Sequence, residues 1–328
     1  MLALRTSAPF RHSLKLLKWG ILLVIGYFAL KLVNLPDLRA SMETLPAFTI
    51  PVFLGLMLLA RLFYALRWKL LASSADVADL PALDLLRVGL LSEFVSIVLP
   101  SYLGGDGLRL LKLRAYTQNK RAVLASIVMD RVVGVLTLMI LTAVFLPFLA
   151  SYFKVELPVS AFLAGIMVVG LLLLVLALAY LLLKRSGLWL RAEALLRVTL
   201  EERSLLTGVG LSLLGHLTYV SAYVILFRHL SSVDSVSIVA IVFLALLGNS
   251  IPISLLGIEM SDGVLIVLAQ MIGIAPSVTL VVIALVVASR YLFGIVGLVA
   301  EMLVDGQEIF SGLAKRNAKL TVNNPVGN

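Results

Sequence analysis

The chain has 328 residues, of which 61% are hydrophobic and 14% charged, and its mean hydropathy is +1.08. A soluble globular domain carries about a quarter charged residues, so this composition excludes one and gives an integral membrane protein. The net charge of +9 does not point to nucleic acid, because the basic residues lie in short loops and tails beside apolar runs, where they set topology and attract anionic headgroups.

Arg5, Arg11, Lys15 and Lys18, with no acid among them, precede an apolar run from Trp19 to Val33. It reads as a signal anchor, since no small-residue cleavage site follows it. After a loop from Asn34 to Thr49, a second span from about Ile50 to Leu71 ends at Arg67 and Lys69, and the positive-inside rule makes that end cytoplasmic. The next segment, from about Leu83 to Pro100, has too few apolar residues to cross. Beyond Pro100-Ser-Tyr-Leu-Gly-Gly, Arg109, Lys112, Arg114, Lys120 and Arg121 outnumber Asp106, so both ends lie on one side. A re-entrant hairpin satisfies both constraints, because irregular backbone is tolerated at membrane depth where it is buried in protein or lines a wet cavity.

A third span from about Val123 to Leu149 leads to Lys154 and Glu156, and a fourth returns from Val159 to Leu183. The charge-rich stretch from there to about Ser204 reads as an amphipathic interfacial helix. A fifth span covers about Leu205 to Phe227. Val236 to Gly257, holding Asn249 and Pro252, reaches an acidic turn at Glu259 and Asp262, and a short apolar piece from Val264 to Ile274 follows. The sixth span, from about Val278 to Val304, ends at a tail with Lys315, Arg316 and Lys319. With that tail cytoplasmic, the 236–274 piece enters and leaves from outside, as a second hairpin opposite in sense to the first. No soluble domain is expected on either side of the spans.

Each half then runs helix, helix, hairpin, helix. Pro100, Asp106-Gly107 and Arg131 with Gly134 in the first half match Pro252, Asp262-Gly263 and Arg290 with Gly294 in the second. Loop charges give the halves opposite orientations, the inverted-repeat plan that places a site near the midplane between broken helices. The expected fold is an all-α polytopic membrane protein of six full transmembrane helices plus two re-entrant helical hairpins in an inverted repeat. It is a single membrane domain over 1–328, with repeats at 15–150 and 159–304 and a cytoplasmic tail at 305–328.

Arg131 and Arg290 lie about ten and twelve residues into their spans, roughly 15–20 Å deep at 1.5 Å per residue. A charge so placed costs about 2.5–3.5 kcal/mol on insertion scales and faces an interior partner. Two readings compete. Each arginine locks helices together through a carboxylate, or the two face one cavity and grip an anionic headgroup whose oxygens match the guanidinium fork. Asp130 and Arg131 point about 100° apart, so Asp130 is expected to serve a neighbouring helix and leave Arg131 free. Gly104, Gly105 and Gly107 permit a turn at the hairpin tip, where amides beside a helix start receive a phosphate, or simply serve the turn. Asp106 is expected to cap the helix that follows, with Arg109 one turn on. Glu93 is a possible coupling carboxylate or a satisfied structural one. Arg61 and His216 read as packing or snorkelling residues. The chain has no cysteine and three scattered histidines, so no metal or other cofactor is expected.

The runs LPSYLGGDGLRL, MDRVVGVLTL, IPISLLGIEMSDG and SRYLFGIVGL resemble the lysylphosphatidylglycerol synthase transmembrane-region family of flippase-like membrane proteins. The resemblance covers roughly Lys15 to Val304. It implies movement of lipids between leaflets. The expected substrate site is drawn from Pro100, Gly104, Gly105, Asp106, Arg109, Asp130, Arg131, Asn249, Pro252, Ser254, Glu259, Asp262 and Arg290. In some members this region is fused to a cytoplasmic aminoacyl-transferase domain, which is not expected here. The second half departs from the family pattern of a glycine pair followed by Gly-x-Arg-Glu-Gly, with Leu256 and Glu259 in place of glycines, Ser261 for the arginine and Asp262 for the glutamate.

The expected function is a lipid translocator in the cell inner membrane, a transporter without a catalytic domain, multi-pass with both termini cytoplasmic and a monomer or homodimer. Its partners are membrane lipids with an anionic or polyprenyl-phosphate headgroup, not nucleic acid. An integral membrane transferase on lipid-linked substrates is the rival, although the first loop offers only Asp37 and Glu43 as carboxylates. A non-transporting partner of an envelope lipid-synthesis complex is the third reading.

Overall fold

A computed structural model describes residues 43–73, 80–98, 102–113, 120–149, 202–250, 254–255 and 257–322. The signal anchor, the fourth span, nearly all of the interfacial segment, and both Pro100 and Pro252 lie outside the described residues. Those described form eight α-helices. α1 is Thr49–Ser73, α2 Ala82–Val98, α3 Tyr102–Leu113 and α4 Lys120–Phe145, the last closed by a 3₁₀ turn at Leu146–Leu149. α5 is Glu202–Leu230 and α6 Ser235–Leu246, followed by a 3₁₀ turn at Leu247–Ser250. Two short strands, β1 Ser254–Leu255 and β2 Ile258–Glu259, precede α7 Met260–Met271 and α8 Pro276–Val322. Four stretches, Thr49–Ser73, Ala122–Leu149, Ser204–Leu230 and Pro276–Val304, are long and apolar enough to cross a membrane.

Local chemistry sets these boundaries. Pro276 opens α8, where its missing N–H would be unpaired in any case. Asp234 caps α6 by accepting from the Ser237 amide at 2.9 Å. Glu259 and Asp262 form a capping box at the start of α7. α7 stops at Gly273 (φ 87°), with the Ile274 amide donating to Ala269 and the Gly273 amide to Gln270, the paired bonds of a glycine-terminated helix.

The antiparallel pairing of Ser254 with Glu259 and Leu255 with Ile258 adds a minimal β-hairpin to the expected all-α plan. Gly257 (φ 80°) makes its turn, a conformation in which a side chain is strained. The first hairpin also differs from expectation. Gly104, Gly105 and Gly107 lie inside α3 rather than at a turn, and Asp106 is well past the helix start and is no cap. Gly105 is small for another reason. A Cβ there would stand 2.8 Å from the Ser92 carbonyl, so its absence lets α3 approach α2.

α1 packs mainly against α5, and α2 against α8. The second contact also depends on glycine. No side chain fits at Gly297, which rests on the Leu90–Leu91 backbone, and a Cβ on Gly294 would lie 3.1 Å from the Phe94 Cα. Met57, Phe227, Phe243 and Val286 share one apolar core. Outward lie Ile140, Val144, Leu206, Ile295 and Val299. Such a surface is a liability in water and is what hydrocarbon accepts.

Candidate functional site

α1 presents Arg61, Tyr64, Ala65 and Trp68, the i, i+3, i+4, i+7 spacing of one helix face. That face, with Arg67, borders a cavity of about 510 Å³. α2 contributes Glu93 and Ser96 to it, α3 Gly105, Asp106 and Arg109, α4 Asp130, Arg131 and Gly134, and α5 His216 and Tyr219. From the second half come Asn249, Ser254, Gly257, Glu259 and Arg290. Arg131 and Arg290 thus line the same cavity.

The charges fall into two clusters. In the first, Arg67 donates from Nε to Asp130 at 2.7 Å and from Nη1 to Ser212 at 2.8 Å. Asp130 therefore serves α1, as expected. Arg131 is not left free, because its Nη2 donates to Asp106 at 2.8 Å. Its side chain remains 48% exposed. Arg109 stands 3.8 Å from both Asp106 and Asp130, and its guanidinium lies 5.0 Å over the Trp68 ring. Three guanidinium groups here face two carboxylates.

In the second cluster Arg290 is 5% exposed. It donates to the Gly257 carbonyl at 2.6 Å and to Asp262 at 2.8 Å, and it stands 3.1 Å from Glu259. Asn249 donates to Glu259 at 2.7 Å and accepts the Ser261 amide at 3.2 Å, which ties the 3₁₀ turn to the start of α7. Ser254 reaches across to the Ser96 carbonyl at 3.3 Å. Arg61 does not snorkel. It is buried, donating from Nε to Glu93 at 2.8 Å and from Nη1 to the Met57 carbonyl at 2.9 Å, and its guanidinium also lies over Phe293. Glu93, read as either a coupling or a satisfied structural carboxylate, is thus engaged by both oxygens. Two guanidinium groups here face three carboxylates.

His216 is a hydrogen-bonded strut, with Nε2 3.0 Å from the Gly134 carbonyl and Nδ1 3.1 Å from the Tyr64 hydroxyl. Since a carbonyl can only accept, Nε2 carries the proton and Nδ1 accepts from Tyr64. Gly134 has its own reason to lack a side chain, because a Cβ there would lie 2.9 Å from Arg67 Nη1.

Sequence reasoning missed Arg67, which it used only as a topology marker, and also Trp68 and Tyr64. For Tyr64 and Trp68 the signal was available in the 61-64-68 stripe of one basic and two aromatic residues within an apolar helix; Arg67 lies off that stripe. Among the described residues, no group of His, Asp and Glu is arranged to hold a metal.

No curated protein and no solved structure matches the chain. The model of the lysylphosphatidylglycerol synthase TM region family matches residues 15–297. With most of its length under that match and four apolar membrane-length helices around a charged cavity, the chain belongs to the lysylphosphatidylglycerol synthase TM region family.

Proposed function

We propose that this protein is a lipid translocator, passing the headgroup of an anionic phospholipid or polyprenyl-phosphate-linked lipid through the cavity while the acyl chains stay in hydrocarbon. The observation that carries the reading is the gathering of five guanidinium groups around one cavity in a bundle whose outer surface is apolar. Charges inside a membrane protein are costly and line the paths of polar substrates. The cluster formed by Arg67, Arg109, Arg131, Asp106 and Asp130 holds one positive charge in excess, which suits a headgroup phosphate.

The same reading takes the fold as six spans with two re-entrant hairpins in inverted repeat, in the cell membrane, with both termini cytoplasmic. The matching pairs support it. Asp106 on the second arm of one hairpin meets Arg131 on the next helix, and Asp262 meets Arg290 in the same way. Reconstitution in liposomes with headgroup-labelled lipids tests the proposal. Transbilayer movement of an anionic lipid above the protein-free rate is expected; no excess for any anionic lipid tried would defeat it.

A further inference from the structure

Two buried donors on side chains that line the cavity lack acceptors among the described residues. Trp68 is only 2% exposed. Its Nε1 and the Nε of Arg109 both lie out of solvent and have no hydrogen-bond partner among the described residues. The carboxylates nearest Arg109, at 3.8 Å, are beyond hydrogen-bond reach. The other cavity arginines, Arg61, Arg67, Arg131 and Arg290, each donate to a carboxylate. A buried donor left unpaired costs stability, and a charged one costs more. A phenyl ring would also offer Arg109 an aromatic face, and without stranding an N–H.

We infer that Trp68 and Arg109 form a subsite for phosphate oxygens, the guanidinium taking the anionic oxygens of a phosphate ester and the indole N–H a further one. Charge places the ester here and not beside Arg290. The Arg109 cluster has a surplus guanidinium, whereas Glu259 and Asp262 outnumber Arg290 and repel an anion. The guanidinium is also positioned in advance by the indole face beneath it. The inference rests on the translocator reading for the source of the phosphate, a lipid headgroup; a free phosphate presents the same oxygens.

The test is calorimetric titration of the full chain in detergent micelles with dihexanoyl phosphatidylglycerol, phosphate-free dihexanoylglycerol and inorganic phosphate. Trp68→Phe and Arg109→Gln are each expected to weaken phosphatidylglycerol binding by about tenfold, the effect of one hydrogen bond to a charged group, and to leave dihexanoylglycerol unchanged. Arg109→Lys, which keeps the charge without the fork, recovers only part of the loss. Trp68→Phe keeps an aromatic face although a smaller one, so a melting temperature near that of the unaltered protein separates lost binding from lost folding. Displacement of the lipid by inorganic phosphate supports a site for phosphate of either origin. Lipid binding that ignores free phosphate but falls in both variants supports the lipid-borne ester alone. Unchanged affinity in Trp68→Phe and Arg109→Gln overturns the subsite. If the unaltered protein and both variants then still translocate lipid at one rate, the transport reading survives that failure; if binding falls as expected but the unaltered protein moves no lipid, only the transport reading fails.

Discussion

Asp262 on α7 meets Arg290 on α8 at 2.8 Å, the same separation at which Asp106 on α3 meets Arg131 on α4. In each pair, an acid on a short helix holds a base on the long helix that follows it in the chain. The two pairs differ in environment, because the Arg290 side chain is 5% exposed and that of Arg131 48%. Arg290→Ala strands two buried carboxylates and is expected to cost about 3–5 kcal/mol. Arg131→Ala is expected to cost about 1 kcal/mol or less. Equilibrium unfolding in mixed micelles measures both, and equal losses would contradict the assignment of Arg290 as the structural member.

Gly134 faces a guanidinium that cannot yield. Arg67 is held by Asp130 and Ser212, so the Cβ of Gly134→Ala, 2.9 Å from its Nη1, must displace a bonded group. A loss of about 1–3 kcal/mol is expected, as for other overpacked interiors. Gly55→Ala in α1, where nothing lies within 4 Å, is the matched control. It is expected to leave stability unchanged or to raise it by up to about 1 kcal/mol through helix propensity. Comparable losses at both positions would point to backbone effects and away from the Arg67 contact.

How much of this was legible in the sequence depended on whether a residue acts through its own span or across the fold. The described spans could be placed to within a few residues because apolar length and charged flanks are local signals. Arg131 and Arg290 stood out because a cation inside an apolar run is conspicuous. Arg67 did not, since a cation near one end of a span looks the same whether it snorkels or pairs with Asp130, and Arg61, although at mid-span, has its partner Glu93 far away in the chain. The diglycine misled for a related reason. Gly104 and Gly105 favour a turn by local rules, yet Gly105 is required by the approach of α3 to Ser92. The strand pair at Ser254–Leu255 and Ile258–Glu259 is too short to give any periodic pattern.

The contact between α2 and α8 is testable because the chain contains no cysteine, so an introduced pair reports only on itself. A Cβ on Gly294 would lie 3.3 Å from the Phe94 Cβ, so the helices must part by a few tenths of an ångström to accept it, which brings the pair into the separation a disulfide spans. Phe94→Cys with Gly294→Cys is expected to cross-link under mild oxidation, giving a mobility shift that reductant reverses. Either single variant is expected to give none. Failure of the double variant to cross-link while remaining folded would show that the two helices are not neighbours.

Glu301, buried on α8, holds both α2 and α3. Arg87 of α2 approaches one of its oxygens at 3.1 Å, and Lys112 of α3 bonds the other. Arg87 has a second, looser partner in Asp84 at 3.4 Å, and Lys112 is partly solvated. The acid is therefore the member that cannot be spared. Glu301→Gln removes a charge shared by α2 and α3 and is expected to cost about 3 kcal/mol, the loss typical of breaking a buried pair from one side. Lys112→Met, which keeps the apolar stem and leaves Arg87 on Glu301, is expected to cost about 1 kcal/mol or less. The double variant should then lose less than the sum of the two, because each change removes the same Lys112 contact. Unfolding of the four proteins in one detergent measures the coupling, and strict additivity would mean that Lys112 and Glu301 do not act on each other.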